Sequence, residues 1–187
     1  MTTKNPFDLA PLVARDEIDT PLGPMTALAT AKGLAALVFG SDKKHPGPFD
    51  VPRVPTNPSV QAARHWLQRY WAGESPALGE LSLDLHGSLF QRAVWQVLLR
   101  IPQGSTWTYG QVADAVGHGA SPRATGNAIG RNLIAVIVPC HRVIGANGAL
   151  TGYASGLPLK ARLLRHEGVS AGPERMQCLS KVSDTIR

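Results

Sequence analysis

The segment Ile137-Val138-Pro139-Cys140-His141-Arg142-Val143 sets a thiol directly beside an imidazole, in a chain of 187 residues with only two cysteines. A thiol attacks as its thiolate, and an ordinary cysteine, with a pKa of about 8.5, is mostly protonated at neutral pH. A neighbouring base removes that obstacle, and histidine is the side chain whose ordinary pKa suits the task. Adjacency in sequence is not contact, because consecutive residues of an extended strand point to opposite faces. Pro139 argues that the chain turns here, so that a bridging water joins thiol and imidazole. The base then needs a partner to hold its tautomer, usually a carboxylate. From Ser88 onward only Asp114, Glu167, Glu174 and Asp184 are on offer, and Glu167, at the end of the last clear helical pattern, is the favoured one. The opposing reading makes Cys140 an inert core thiol, since free cysteine is among the most buried residue types. On these residues alone both readings stand.

Composition narrows the setting. Cys140 and Cys178 form neither a disulfide framework nor a C-x-x-C pair, which suits a reducing cytoplasm. The longest apolar runs fall far short of the roughly 18 residues of a membrane span. The start, "MTTKNPFDLAPLVARDE", lacks the basic, apolar and small-residue regions of a secretory signal, so a cytoplasmic location is expected. The net charge is +6, and it is lopsided. Residues 1–87 hold 8 Lys+Arg against 9 Asp+Glu (−1), whereas residues 88–187 hold 11 against 4 (+7). The half that carries the Cys-His pair therefore holds all the basic excess, which is the footprint of a polyanion partner or simply a solvated basic face.

Those residues must be positioned by elements that the sequence also marks. Gly23–Gly40 reads as two strands joined at Ala31-Lys32-Gly33. Asn57-Pro58 opens a helix with Val60, Ala63, Trp66, Leu67, Tyr70 and Trp71 on one face, stopped by Gly73. "ESPALGELSLDLHG" is a candidate linker with a short strand at Leu81–Leu85. Beyond it, Ser88/Gln91 and Thr108/Gln111 each have capping-box spacing, and Ser121-Pro122 opens a further helix that Asn132 ends. "YGQVADAV" and "RATGNAIGRN", joined by a Gly-containing turn, make a helix-turn-helix pattern. "LIAVIVP" is expected to be a buried strand by its β-branched content. Pro158 begins a last helix with Leu159, Leu163 and Leu164 inward, closed by Gly168. The fold expected is an N-terminal α/β domain with a small sheet (1–87), then a mostly α-helical C-terminal domain with a helix-turn-helix (88–169) and a frayed tail (170–187).

The blocks "TYGQVADAVG", "RATGNAIGRN" and "PCHRVIGANGALTGY" together resemble the O6-alkylguanine-DNA alkyltransferases, with continuous similarity from about Phe90 to Gly168. The resemblance implies DNA repair by single-turnover transfer of an alkyl group from O6 of guanine, with O4 of thymine as a second candidate donor, onto Cys140. It implies that His141 takes the thiol proton through a water, that Glu167 orients His141, and that Tyr109 protonates the departing guanine at N3. The target base must leave the stack, so Arg123 is expected to fill the gap, with Ala124, Thr125 and Gly126 letting the helix approach the minor groove. Asn132 is implied as a hinge, and Val143 and Tyr153 as lining of the guanine pocket. The partner implied is double-stranded DNA carrying O6-alkylguanine, bound by a monomer with no obligate protein partner. Neither cofactor nor metal is expected, because no cysteine precedes Cys140. Gln103, Leu133 and Ala154 depart from residues common in relatives without removing a catalytic group. The rival readings are a non-catalytic lesion-binding protein, in which the cysteine is replaced, and a helix-turn-helix regulator.

Overall fold

The computed structural model describes residues 11–41, 50–117 and 119–169, which divide into two compact units. The expected tail (170–187) and Cys178 lie outside the described residues.

The first unit takes in the chain up to Ser88 together with Leu133–Ala135. Its sheet has three antiparallel strands in the order β1 (Leu12–Ile18), β2 (Met25–Thr30), β3 (Gly33–Phe39). The β2–β3 hairpin turns through Ala31-Lys32, where the sequence places it. Strand β1 escapes sequence reading because Asp16 sits on its inward face beside Ala14 and Ile18 and breaks the apolar alternation. Asp16 is tolerated there because Arg53 and Arg64 both pair with it. Helix α1 (Pro58–Trp71) packs on the sheet through Val60, Ala63, Trp66, Leu67 and Tyr70. Asn57 caps it by accepting from Ser59 and Val60 N–H, and Ala72 and Gly73 (φ 88°) end it. The strand expected at Leu81–Leu85 reduces to one bridge, Leu83 to Leu34.

The second unit begins with α2 (Leu89–Leu98) and continues through β4 (Trp107–Thr108), α3 (Tyr109–Val116), α4 (Pro122–Ile129), β5 (Val143–Ile144) and α5 (Leu157–His166). Thr108 and Gln111 form the expected capping box on α3, and Ser121 caps α4 by accepting from the Ala124 N–H. Helices α3 and α4 form the helix-turn-helix and pack on α2. Trp95 of α2 ties the bundle by donating its indole N–H to the Ala128 carbonyl at 2.9 Å. Strands β4 and β5 pair in parallel, which brings the start of α3 beside the exit from the Cys-His segment. Among the described residues no helix is long and apolar enough to cross a membrane.

Two expectations need correction. Leu133–Pro139 is not a strand: Ile134 makes one bridge to Leu37 of β3, and Val136 has φ 71°, which no extended strand allows. Its β-branched content reports burial, which is complete from Asn132 to Ile144, rather than extension. Helix α4 also ends earlier than Asn132, at Ile129 with Gly130 as its cap, which frees the Asn132 side chain for other work.

Candidate active site and nucleic-acid interface

Pro139 stops the apolar run. Its φ of −83° and ψ of 61°, with the Cys140 N–H donating to the Val138 carbonyl at 2.8 Å, make an inverse γ-turn. The chain then enters a 3₁₀ turn, Cys140–Arg142, so thiol and imidazole are set by a turn and not by strand alternation. Asn132 donates its amide N–H groups to the Val138 carbonyl (2.9 Å) and to Cys140 Sγ (3.2 Å). A donor on sulfur favours the anion over the thiol. Asn132 therefore braces the nucleophile's turn instead of merely ending a helix. Cys140 itself is only 9% exposed.

His141 is fully buried, with Nε2 2.8 Å from Glu167 Oε1. Nδ1 is buried and has no hydrogen-bond partner among the described residues. With the Nε2–H donating to Glu167 Oε1, Nδ1 carries the free lone pair, which is the arrangement a base requires. Glu167 also accepts a bidentate pair from Arg142, Nε to Oε2 at 2.9 Å and Nη2 to Oε1 at 2.8 Å. Arg142 further donates Nη1 to the Ile101 carbonyl at 2.6 Å, so its role is structural and its side chain is not free for a phosphate. Burial alone would raise the Glu167 pKa, but the His141 and Arg142 hydrogen bonds outweigh it and hold the carboxyl well below the usual range. For His141, burial pushes the pKa down and exceeds the opposing pull of Glu167; the Arg142 and Lys160 charges push it down further. The result is an ionised carboxylate and a neutral imidazole at neutral pH.

Lys160 is a residue that sequence reading missed. It is 0% exposed on α5 and donates Nζ to the carbonyls of Val143 (2.5 Å) and Thr151 (2.7 Å). A signal was present: Leu157, Lys160, Ala161 and Leu164 follow the i, i+3, i+4, i+7 spacing of an inward face, with a lysine where an apolar residue belongs. Burial pulls its pKa down to about 8, with Cys140 partly opposing the shift. Tyr109, half-buried at the start of α3, donates its hydroxyl to the same Thr151 carbonyl at 3.2 Å. Gly152 follows with φ 47°, and a Cβ there would stand 3.3 Å from the Tyr109 hydroxyl, so this position keeps the tyrosine's acceptor close. Val143 is fully buried, its N–H bonded to the Cys140 carbonyl, and Tyr153 is half-buried in the following loop.

On α4, Arg123 and Ala124 are exposed, as is Asn127, one turn beyond Arg123, and Arg131 just past the helix. Thr125 departs from expectation. It is 0% exposed, because its place on α4 falls on the stripe with Ala128 and Ile129 that faces α2 and α3, so its side chain cannot meet a groove. Gly126 is half-buried against the Tyr109 ring.

A thiol braced by an amide, next to a neutral imidazole held by an ionised carboxylate and behind a helix-turn-helix, defines a cysteine-nucleophile protein with a nucleic-acid-binding scaffold. The comparisons agree and go further. Residues 89–169 match the 6-O-methylguanine DNA methyltransferase DNA binding domain, and residues 15–85 match the ribonuclease-like domain of the same proteins. The chain is 43% identical over 152 residues to the methylated-DNA–protein-cysteine methyltransferase of Methanosarcina acetivorans, spanning 80% of this chain and 95% of that one. It is 42% identical over 150 residues to that of Mycobacterium tuberculosis, spanning 80% and 89%. A crystal structure of Mycobacterium tuberculosis OGT in complex with DNA superposes with a TM-score of 0.75 at 41% identity, covering 83% of this chain and 92% of that chain. The chain belongs to the methylated-DNA–protein-cysteine methyltransferase family.

Proposed function

We propose that this chain repairs double-stranded DNA by moving an alkyl group from O6 of guanine onto Cys140, once per molecule. The observation that carries this reading is the buried Cys140–His141–Glu167 arrangement, with Asn132 donating to Sγ and His141 Nδ1 left as the available base. His141 accepts the thiol proton through a water. The thiolate then attacks the alkyl carbon, forming the S–C bond as the C–O6 bond breaks. The bonding pair passes to the guanine ring, and Tyr109 supplies a proton at N3, which makes the base a competent leaving group. The net change is balanced: the cysteine exchanges a proton for an alkyl group, and the guanine does the reverse. A thioether has no easy leaving group, which limits the protein to a single turnover.

Access to O6 requires the nucleotide to leave the stack. Arg123, exposed at the first turn of α4, fills the gap, while Ala124 and Gly126 let that helix approach the minor groove. The minor groove carries little sequence information, which suits recognition of damage in any context. Val143 and Tyr153 line the base pocket. The protein works as a cytoplasmic monomer without a cofactor.

The test is intact-protein mass after incubation with a duplex containing O6-methylguanine, beside a Cys140→Ser control. A single methylene added to the wild type and none to the control is the expected result. Binding without a mass change would overturn the mechanism and assign the chain to lesion recognition or regulation.

A further inference from the structure

We propose that Asn127 is a specificity-determining residue for the repair reaction, its amide reading the minor-groove edge of a base pair beside the lesion and favouring G·C there over A·T. This deepens the alkyl-transfer reading and rests on it. Helix α4 buries Thr125, Ala128 and Ile129 and leaves Arg123, Ala124 and Asn127 exposed on one face, with Arg131 exposed just past its end. Asn127 follows Arg123 by one helical turn, or about 6 Å along the axis at about 1.5 Å per residue. Stacked base pairs lie about 3.4 Å apart along a strand. With Arg123 in the gap left by the flipped nucleotide, a helix running along the groove sets Asn127 one or two base pairs from the lesion. Ala124 and Gly130 on the same side add no bulk, so the short Asn127 side chain reaches the groove floor. Gly126, the residue before it, lies against the Tyr109 ring, which keeps this part of α4 beside the proposed proton donor.

The chemistry of the amide argues for this role. Asparagine favours a helix interior less than alanine does, because its side chain competes for backbone groups. Among the described residues no hydrogen bond within the chain engages the Asn127 amide, so its donor and its acceptor are both open to a ligand. It carries no charge, and so adds nothing to the counterion release that the arginines supply. What an amide can do is discriminate. A·T and T·A pairs present only acceptors in the minor groove, whereas G·C adds the guanine N2 amino donor. Nδ2 of Asn127 can donate to the purine N3 or pyrimidine O2 of any pair, but Oδ1 finds a donor only where that amino group is present. At an A·T pair the carbonyl faces acceptors alone and gains nothing. Arg123 and Arg131 cannot draw this distinction, because a guanidinium has donors and no acceptor.

The test uses the full-length chain and measures the second-order rate of methyl transfer, below saturation, from duplexes containing O6-methylguanine. One base pair is varied, one or two positions from the lesion on either side. Four pairs are compared: G·C, A·T, hypoxanthine·C, which lacks the N2 amino group, and 2,6-diaminopurine·T, which supplies one. At one such position the wild type is expected to react about 3- to 10-fold faster with G·C and diaminopurine·T than with A·T and hypoxanthine·C, the worth of one neutral hydrogen bond. Asn127→Ala, an exposed change to the better helix former, should transfer at one rate from all four. Equal wild-type rates at every position would overturn the proposal. So would a preference that survives in Asn127→Ala, or one that ranks hypoxanthine·C with G·C, since either comes from the deformability of the duplex and not from the amide. A wild type that transfers no methyl group from any duplex removes the parent reading and this inference together, whereas an active wild type indifferent to the N2 amino group removes only this one.

Discussion

Complete burial, with the Arg142–Glu167 pair beside it, explains how His141 can be held by a carboxylate and still remain neutral. A carboxylate at 2.8 Å pulls the imidazole toward its charged form, but the cost of burying that charge outweighs the pull, and the Arg142 guanidinium opposes it further. The same arrangement sets a pH dependence of stability. Both His141 and Glu167 have folded pKa values below their ordinary ones, so the unfolded chain binds more protons than the folded one on the acid side. The stability they contribute is complete above about pH 6.5 for His141 and about pH 4.3 for Glu167, and is lost as pH falls below each. Glu167→Gln should therefore flatten the acid limb below about pH 4.3 in urea unfolding while leaving the His141 limb. At neutral pH it should cost about 3 kcal/mol, because it strands Arg142, only 8% exposed, without its counter-charge. Combining it with Arg142→Met should restore much of that stability but not the transfer rate, which depends on the carboxylate itself. If the double variant regained both, Glu167 would be a structural partner and nothing more.

At the scale of elements, the parts that local chemistry dictates were legible, and those that distant residues dictate were not. Asn57-Pro58, Thr108 with Gln111, and Ser121-Pro122 satisfy helix ends with atoms a few residues away, so each helix start can be read from a short window. Strand β1 cannot be read so, because Asp16 on its inner face makes sense only beside Arg53 and Arg64. Leu133–Pro139 misleads for the opposite reason: its apolar run is buried, but its backbone bonds to Leu37 through the Leu133 carbonyl and Ala135 N–H and then bends at Val136. In the candidate site, residue type and position marked Cys140, His141 and Glu167 as candidates but left an inert core thiol equally open, while the Lys160 contacts depend on carbonyls that no sequence pattern exposes. Backbone packing also separates two glycines that look alike in sequence. A Cβ on Gly33 would lie 2.3 Å from the Ser82 carbonyl oxygen, where Leu34 N–H bonds at 2.8 Å, so β3 and its neighbouring segment would have to part. A Cβ on Gly126 meets the Tyr109 ring at 3.4 and 3.5 Å, an ordinary contact within a helix. Thermal unfolding should show Gly33→Ala destabilised by about 3 kcal/mol and Gly126→Ala stabilised by up to about 1 kcal/mol. Equal effects of the two would mean that the approach of Ser82 does not limit this sheet.

At the scale of the whole molecule, the charge asymmetry becomes sharper once burial is known. Of the basic residues from 88 to 169, Arg142 and Lys160 are buried, whereas Arg92, Arg100, Arg123, Arg131, Arg162 and Arg165 are exposed. The two acidic residues of that stretch are Asp114, exposed, and Glu167, buried and paired with Arg142. The field presented to solvent there is thus six arginines against one aspartate, stronger in proportion than the count of +7 for the full C-terminal half. A surface of this kind binds a polyanion chiefly by releasing its counterions, so affinity for undamaged duplex should fall with salt, with a slope of about −0.9 in log–log form per phosphate neutralised. Arg131→Ala should reduce that slope by about one and weaken binding equally on unrelated sequences. Arg123→Ala should behave differently, because a side chain that replaces an extruded base contributes to the flipped state and not to the initial encounter. It should slow methyl transfer on duplex DNA far more than it changes the salt slope, and it should matter little for transfer from free O6-methylguanine, where no stack has to be filled. Fluorescence anisotropy across a salt series, run beside single-turnover transfer, separates the two residues. Were Arg123→Ala to change the slope as Arg131→Ala does and leave transfer intact, α4 would be a phosphate anchor, and the opening of the stack would have to come from elsewhere on the chain.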